Sequence, residues 1–304
     1  MSAAKPTEFE LYYRAGEHEY RYALSVHADE IVSEGLWRRK LGASRTAMLF
    51  EREGTGVELG PTLRKLVTAA RFNPSLPYLS FLCINFDAPV IKEAASWFLD
   101  GVFLNYNSSY LEQMLEQLLD EDDSLEITRF LRAVDVRIDG FRVEKAPEWR
   151  GQRVFVKHEV DGKGYELRLS EESAGTQKLM GLASFLLAAL ERGGTVVVDE
   201  LDAKLHPKLL RYVILLFKDP EVNKSGAQLI FSSQDVSTMR NDVFRRDEIW
   251  FAARGEGEAS QLWSLADIHE ANGNLVSKNA AFDKQYLSGR YGADPYLTRI
   301  EEWD

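Results

Sequence analysis

One cysteine, Cys83, stands in a chain of 304 residues. A single thiol builds neither a disulfide framework nor a cysteine zinc site, and it points to a reducing compartment. Inside the apolar run YLSFLCINF it is expected as a small buried hydrophobe. Long apolar runs are missing too: none approaches the ~20 residues of a membrane span. The N-terminal MSAAKPTEFELYY lacks the basic, apolar and small-residue order of a secretory signal. A cytoplasmic location without a membrane partner is expected. Positive charge is scarce, with 37 Lys and Arg against 48 Asp and Glu and a net charge of −11. Phosphate backbones bind positive faces, so this balance argues against a general nucleic-acid surface. The short clusters WRRK (37–40) and FRRDE (244–248) read as solvated faces. The five histidines lie far apart, with no metal-ligand spacing.

What is present describes an ordinary folded protein. Hydrophobic residues make up 45% and charged residues 28%, enough for one large domain or two modest ones. Residues 1–60 read as an antiparallel meander: FELYYRA, EYRYALSV, DEIVSEGLWRRK, TAMLFERE and GVELG are short, aromatic and β-branched, with turn residues between them. Residues 61–135 turn mostly helical. APVIKEAASWFLDGVF, YLEQMLEQLLDE and SLEITRFLRAVDV repeat apolar residues every three or four positions. After the strands VRIDGFRVEK, QRVFVKHEV and YELRLS, the chain from 173 to 252 alternates. A helix (173–191), a strand (195–199), a helix (207–218), a strand (227–233), a short helix and a strand (248–252) follow in order. Such alternation is the signature of a parallel α/β sheet. SQLWSL and FDKQYLSGR add a strand and a helix, so 136–304 is expected to form an α/β lobe.

Three stretches of this lobe carry chemistry. TVVVDE (195–200) runs three valines into two carboxylates. With no polar alternation, the strand is expected to be covered on both faces, and such strands present ligand-binding residues at their carboxyl ends. One carboxylate can hold Mg²⁺ while the next orients an attacking water. Alone, the pattern equally describes a strand-to-helix loop. LSEESAGTQKLM (169–180) begins a helix at the N-cap Ser173, and the free N–H groups and dipole there suit an anion. The same residues also fit a plain capped core helix, ended by Gly193-Gly194. AQLIFSSQD (227–235) is a second apolar strand that ends in small and polar residues.

In this order and spacing the parts resemble the ABC-type ATPases, the group of SMC, RecF and RecN proteins, and most of all the bacterial RloA-like abortive-infection ATPases of the AAA class. The resemblance implies an ATP-binding P-loop fold with an antiparallel β subdomain and a helical insertion. It implies that Ser173, Gly175 and Gln177 form the signature motif, with Asp199 toward Mg²⁺ and Glu200 as the catalytic carboxylate. LDAKLHP then resembles the D-loop, with Asp202 at a dimer seam. The family's switch histidine is Gln234 here, and an amide does not exchange protons near neutral pH. A second departure is larger. No G-x-x-x-x-G-K-[ST] occurs; DGKGYE (161–166) and NKSG (223–226) lack its glycine or hydroxyl positions. The first strand and phosphate loop are therefore expected from upstream sequence or another chain. The implied function is a head-to-tail, ATP-gated homodimer or hetero-oligomer controlling an effector, such as a nuclease, in phage defence. The alternatives are a regulatory subunit offering only the signature motif in trans, and a truncated relic.

Overall fold

The computed structural model describes residues 5–68, 71–105, 116–117, 119–145, 152–254, 260–270 and 273–293. Packing divides the chain into two units, Met1–Gly101 and Val102–Asp304.

The first unit opens with the predicted meander. β1 (Thr7–Ala15), β2 (His18–His27), β3 (Glu30–Lys40), β4 (Thr46–Glu53) and β5 (Gly56–Leu59) form one antiparallel sheet in sequence order. Alternation puts Tyr13, Tyr20, Tyr22, Leu36 and Phe50 inside. Two helices, α1 (Tyr78–Asn85) and α2 (Pro89–Asp100), contribute Leu79, Leu82, Ile91 and Ala94 to the same core. Cys83, on α1, is half-buried rather than fully enclosed, because the buried stripe of that short helix runs through Tyr78, Leu79 and Leu82.

A buried ion pair organises this core. Glu34 sits on β3 and Arg52 on β4, and neither side chain reaches solvent. The Glu34 carboxylate takes bonds from the Tyr22 hydroxyl (3.0 Å), the Arg52 guanidinium (3.3 Å) and the amides of Tyr78 (2.5 Å) and Leu79 (3.0 Å). Arg52 also donates to the carbonyls of Gly54 (2.7 Å), Leu76 (2.7 Å) and Pro74. α1 has Pro77 as its N-cap residue, with no capping side chain of its own. The carboxylate of β3 supplies that cap, where the helix dipole favours an anion.

In the second unit the sheet at the centre is parallel, with order β11 (Gln228–Phe231), β10 (Thr195–Asp199), β6 (Val102–Asn105). β6 corrects the sequence reading, which ran one helix from Ala88 to Phe103. The helix stops at Asp100 and Val102 starts a strand. Asp100-Gly101 marks the break, and the apolar spacing continues across it unchanged. Against this sheet pack α3 (Ser124–Ala133), α4 (Ala174–Arg192) and α5 (Pro207–Lys218), burying Leu131, Leu182, Leu186, Leu210 and Val213 with Val196 and Val198. Gly193 ends α4 with φ +83°, and a Cβ there would come within 2.4 Å of the Ser225 carbonyl oxygen. The expectation of cover on both faces is met on one only. Val196 and Val198 are fully enclosed, Val197 is half-buried, and Ile230 beside it is 53% exposed.

β7 (Gly140–Lys145), β8 (Gln152–Val160) and β9 (Lys163–Arg168) form an antiparallel sheet. The Gly-Lys of DGKGYE lies at the β8–β9 hairpin turn, with Asp161 and Gly162 both left-handed. β12 (Trp250–Arg254), expected to extend the parallel sheet, pairs antiparallel with β13 (Ser260–Ser264) instead. The reason lies in its own small core. Phe251 stacks on Tyr286 of α6 (Phe282–Leu287) and meets the tilted rings of Trp263 and Tyr291. The helix predicted over 110–121 lies mostly outside the described residues. Among the described residues, no helix is long and apolar enough to cross a membrane.

Removing one partner of a buried ion pair strands the other charge. Arg52→Met is expected to cost about 3–5 kcal/mol of unfolding free energy, measured by urea denaturation. A loss below about 1 kcal/mol, the size of an exposed pair, would contradict this account.

Candidate functional site

Parallel pairing brings the carboxyl ends of three strands together. Asp199 ends β10 beside Asn105 of β6, and the chain after β11 continues as Ser232-Ser233-Gln234. Ser232 joins the two segments. Its amide donates to the Val198 carbonyl (3.0 Å), and its carbonyl accepts from the Leu201 amide (3.0 Å). Its hydroxyl donates to Asp199 Oδ1 (2.5 Å) and accepts from the Glu200 amide (2.8 Å). One serine therefore orients the first carboxylate and fixes the backbone of the second.

After Asp199 the chain turns sharply. Glu200 and Lys204 both have positive φ, +54° and +62°. Ala203 donates to the Glu200 carbonyl (3.1 Å) and Leu205 to the Asp202 carbonyl (2.9 Å). Asp202 Oδ2 accepts from the Gln234 amide (3.2 Å), while Oδ1 is buried without a hydrogen-bond partner. Asp199 and Gln234 are exposed; Glu200 and Asp202 are half-buried. Each left-handed non-glycine residue costs about 1–2 kcal/mol, so the turn needs compensation.

Lys178 supplies it. From the second turn of α4 its ammonium donates to the carbonyls of Glu200 (3.2 Å), Leu201 (2.9 Å) and Ala203. The residue is 2% exposed. Bonds to charged groups are worth about 1.5–3 kcal/mol each, so three of them offset the turn's strain and part of the cost of burying the charge. Burial lowers the ammonium's pKa from 10.5 to about 8; Lys204 adds to the drop, and Asp202 and Glu200 oppose it. The sequence reading passed over Lys178. The available signal was a cation at position 178 on a helix whose positions 182, 186 and 189 are apolar.

The start of α4 lies against the same turn. Ser173 is exposed and caps its own helix, accepting from the Thr176 amide (3.1 Å) and sharing a hydrogen bond with the Thr176 hydroxyl (2.9 Å). Gly175 meets the Lys204 backbone, and a Cβ there would lie 3.2 Å from that carbonyl oxygen. Gln177 donates to the Glu172 carbonyl (2.8 Å). Glu172 in turn contacts His158 of β8 at 2.6 Å. His206 and Pro207 start α5, with His206 as N-cap. Of the sequence-predicted residues, Asp199, Glu200, Asp202 and Gln234 gather at the strand ends. Ser173, Gly175 and Gln177 line the helix start that abuts Lys204.

Four cations of the two basic clusters are engaged by ion pairs or a carbonyl. Arg39 pairs with Glu19, Lys40 with Glu17, and Arg245 with Asp247 and Glu248, while Arg246 donates to the Val276 carbonyl.

The donor set fits a small hard cation. Asp199 offers a carboxylate held by the Ser232 hydroxyl, Glu200 follows it in sequence, and Mg²⁺ characteristically takes one or two carboxylates together with phosphate oxygens and water. Among the described residues, no group of three or more His, Cys, Asp or Glu could hold a metal by itself. A cation here would draw further ligands from a phosphate.

A central parallel strand that ends in Asp-Glu sets two carboxylates at the edge where open α/β sheets bind their ligands. The chain belongs to the family described as AAA domain, putative AbiEii toxin, Type IV TA system, whose model matches residues 2–240. Among solved structures it is similar to the SMC head domain from Thermotoga maritima, at 13% identity and a TM-score of 0.36. It is also similar to an SMC head bound to the C-terminal winged-helix domain of ScpA, at 12% identity and a TM-score of 0.38. In both cases the likeness covers 82% of this chain and 74% of the other. No curated protein matches the chain.

The lysine's titration gives the site a pH signature. Unfolded, Lys178 regains its ordinary pKa of 10.5, so between about pH 8 and that value the unfolded state binds more protons. The stability linked to this group is therefore greatest above pH 10.5 and is lost as pH falls through about 8. The unfolding free energy of the wild type relative to Lys178→Met is expected to rise with pH across that window. A flat difference in urea titrations would contradict the desolvated ammonium.

Proposed function

We propose that this chain is an ATP-binding, ABC-type ATPase subunit of a phage-defence system. Residues 1–60 would be its antiparallel β subdomain, 61–135 its helical insertion and 136–304 its ATPase lobe. The observation that carries the reading is the common location of Asp199, Glu200, Asp202 and Gln234 at the carboxyl ends of adjacent parallel strands. The family match supports it, with a description that names an AAA domain and a putative AbiEii toxin.

In this reading Asp199, oriented by Ser232, holds Mg²⁺, which when bound neutralises phosphate charge. Glu200 accepts a hydrogen bond from the attacking water and polarises it toward the γ-phosphate. Gln234 offers its amide to the γ-phosphate or the water without changing protonation. Ser173 and Gly175, at the start of α4, present a helix N-terminus and a hydroxyl to ATP held by a second subunit. Asp202 lies at the seam between the two. The chain carries no G-x-x-x-x-G-K-[ST], so this reading requires a phosphate loop supplied from outside the residues given. ATP then joins two copies, or this chain and a partner, head to tail. The closed assembly controls an effector, such as a nuclease.

A second reading has its own support. The absent phosphate-loop motif and the glutamine in place of a switch histidine both favour a regulatory subunit that offers the signature motif without catalysis.

Two measurements separate these readings. Calorimetric titration of the isolated chain with ATP and Mg²⁺ is expected to give no binding in the micromolar range, because the loop that makes most phosphate contacts is absent. Micromolar binding would mean that the chain completes its own site. In an assembly that supplies the phosphate loop, Glu200→Gln is expected to lower ATP turnover by about 10²–10⁴-fold while nucleotide binding persists. Unchanged turnover would remove Glu200 from the reaction, and absent turnover in the wild-type assembly would favour the regulatory reading.

A further inference from the structure

Lys178 lies outside the residues that the proposed reaction uses, yet its surroundings are unusual for a lysine. It stands on a core-facing position of α4, one residue after Gln177, and is 2% exposed. Its ammonium converges on three main-chain carbonyls, those of Glu200, Leu201 and Ala203. An ammonium has three donors and no acceptor. It therefore matches a backbone that turns its carbonyls toward one point, as an apolar side chain cannot. That turn contains two left-handed non-glycine residues, Glu200 and Lys204. Such conformations persist only where surrounding contacts over-determine them.

A second contact links the same two elements. Gly175, one turn earlier on α4, approaches the Lys204 carbonyl so closely that an added Cβ would lie 3.2 Å away. The helix that begins at Ser173 and the turn that follows Asp199 are thus joined at two places, through Gly175 and through Lys178. The side chains of Glu200 and Asp202 project from the backbone that the lysine holds.

We propose that Lys178 is a positioning residue: it fixes the main chain of residues 200–204, and with it the directions of Glu200 and Asp202, from inside the helix that begins at Ser173. Its importance for ATP chemistry rests on the function proposed above; its control of the turn does not. A shift of the start of α4 on engaging a partner's nucleotide would be transmitted by this ammonium to the catalytic carboxylate of its own chain.

The test is hydrogen–deuterium exchange on the full chain without nucleotide, so its outcome is separable from that of the Glu200→Gln turnover measurement. Three forms are compared with wild type: Lys178→Met, and Lys178→Cys before and after aminoethylation. The cysteine variant is made in a Cys83→Ser background, and aminoethylation rebuilds a side chain of lysine's length carrying an ammonium. In the methionine form and the unmodified cysteine form, exchange in peptides covering 200–205 is expected to rise by about tenfold or more. Peptides from 182–192 and from the 7–59 meander should stay protected, and aminoethylation should restore the turn. Unchanged exchange over 200–205 would overturn the proposal. So would uniform loss of protection across 102–304, or unfolding of both variants, since either assigns the lysine to general stability. Failure of the aminoethylated form to recover protection would overturn it as well.

Discussion

The turn that follows the Asp-Glu strand is built around a positive charge held where water does not reach. A lysine only 2% exposed is costly unless acceptors surround it. Here the acceptors are main-chain carbonyls of a turn that would otherwise be strained. Each side therefore resolves the other's problem. The charge finds three oxygens, and the turn finds one point on which its carbonyls converge. Ser232 completes the restraint from the other side, bonding Asp199 and the Glu200 amide together. The two carboxylates are thus oriented by their backbones and by one hydroxyl.

A similar rule operates in the 1–101 unit with the sign reversed. There the centre is an enclosed carboxylate, Glu34, and its partners are a guanidinium, a phenol and two amides of a helix start. An ion pair this deep contributes little net stability by attraction alone, because both ions must leave water. Its effect is specificity. Only one seating of α1 on the sheet gives the carboxylate its amide donors, and only one course of the 74–76 segment gives Arg52 its carbonyls. Both units use buried charge to select one geometry of a short irregular segment that apolar packing would leave ambiguous.

Much of this was legible in the sequence. The five meander strands, the helix from Ser173 to Gly193 and the Asp-Glu strand follow from period-two and period-3.6 patterns with clear turn residues between them. The misreadings share a cause. Val102–Asn105 continues the apolar spacing of the helix before it, so only Asp100-Gly101 separates helix from strand. Trp250–Arg254 has the composition of a parallel-sheet strand, yet its pairing was decided by aromatic residues 12 to 40 positions further on, Trp263, Tyr286 and Tyr291. Local pattern carries no information about which distant ring a strand will meet.

The sequence by itself determined the elements and the order of the chemical groups: a capped helix, a strand ending in two carboxylates, an aspartate three residues on, and a strand ending in Ser-Ser-Gln. Those features depend on neighbours a few positions apart, which is the range over which backbone propensity and capping act. Tertiary structure alone decided which groups touch. Lys178 meets carbonyls more than 20 residues away, Ser232 meets Asp199 across 33, and Glu34 caps a helix 44 residues downstream. These contacts arise when a polar group, enclosed by folding, must find a partner among whatever the fold brings within reach.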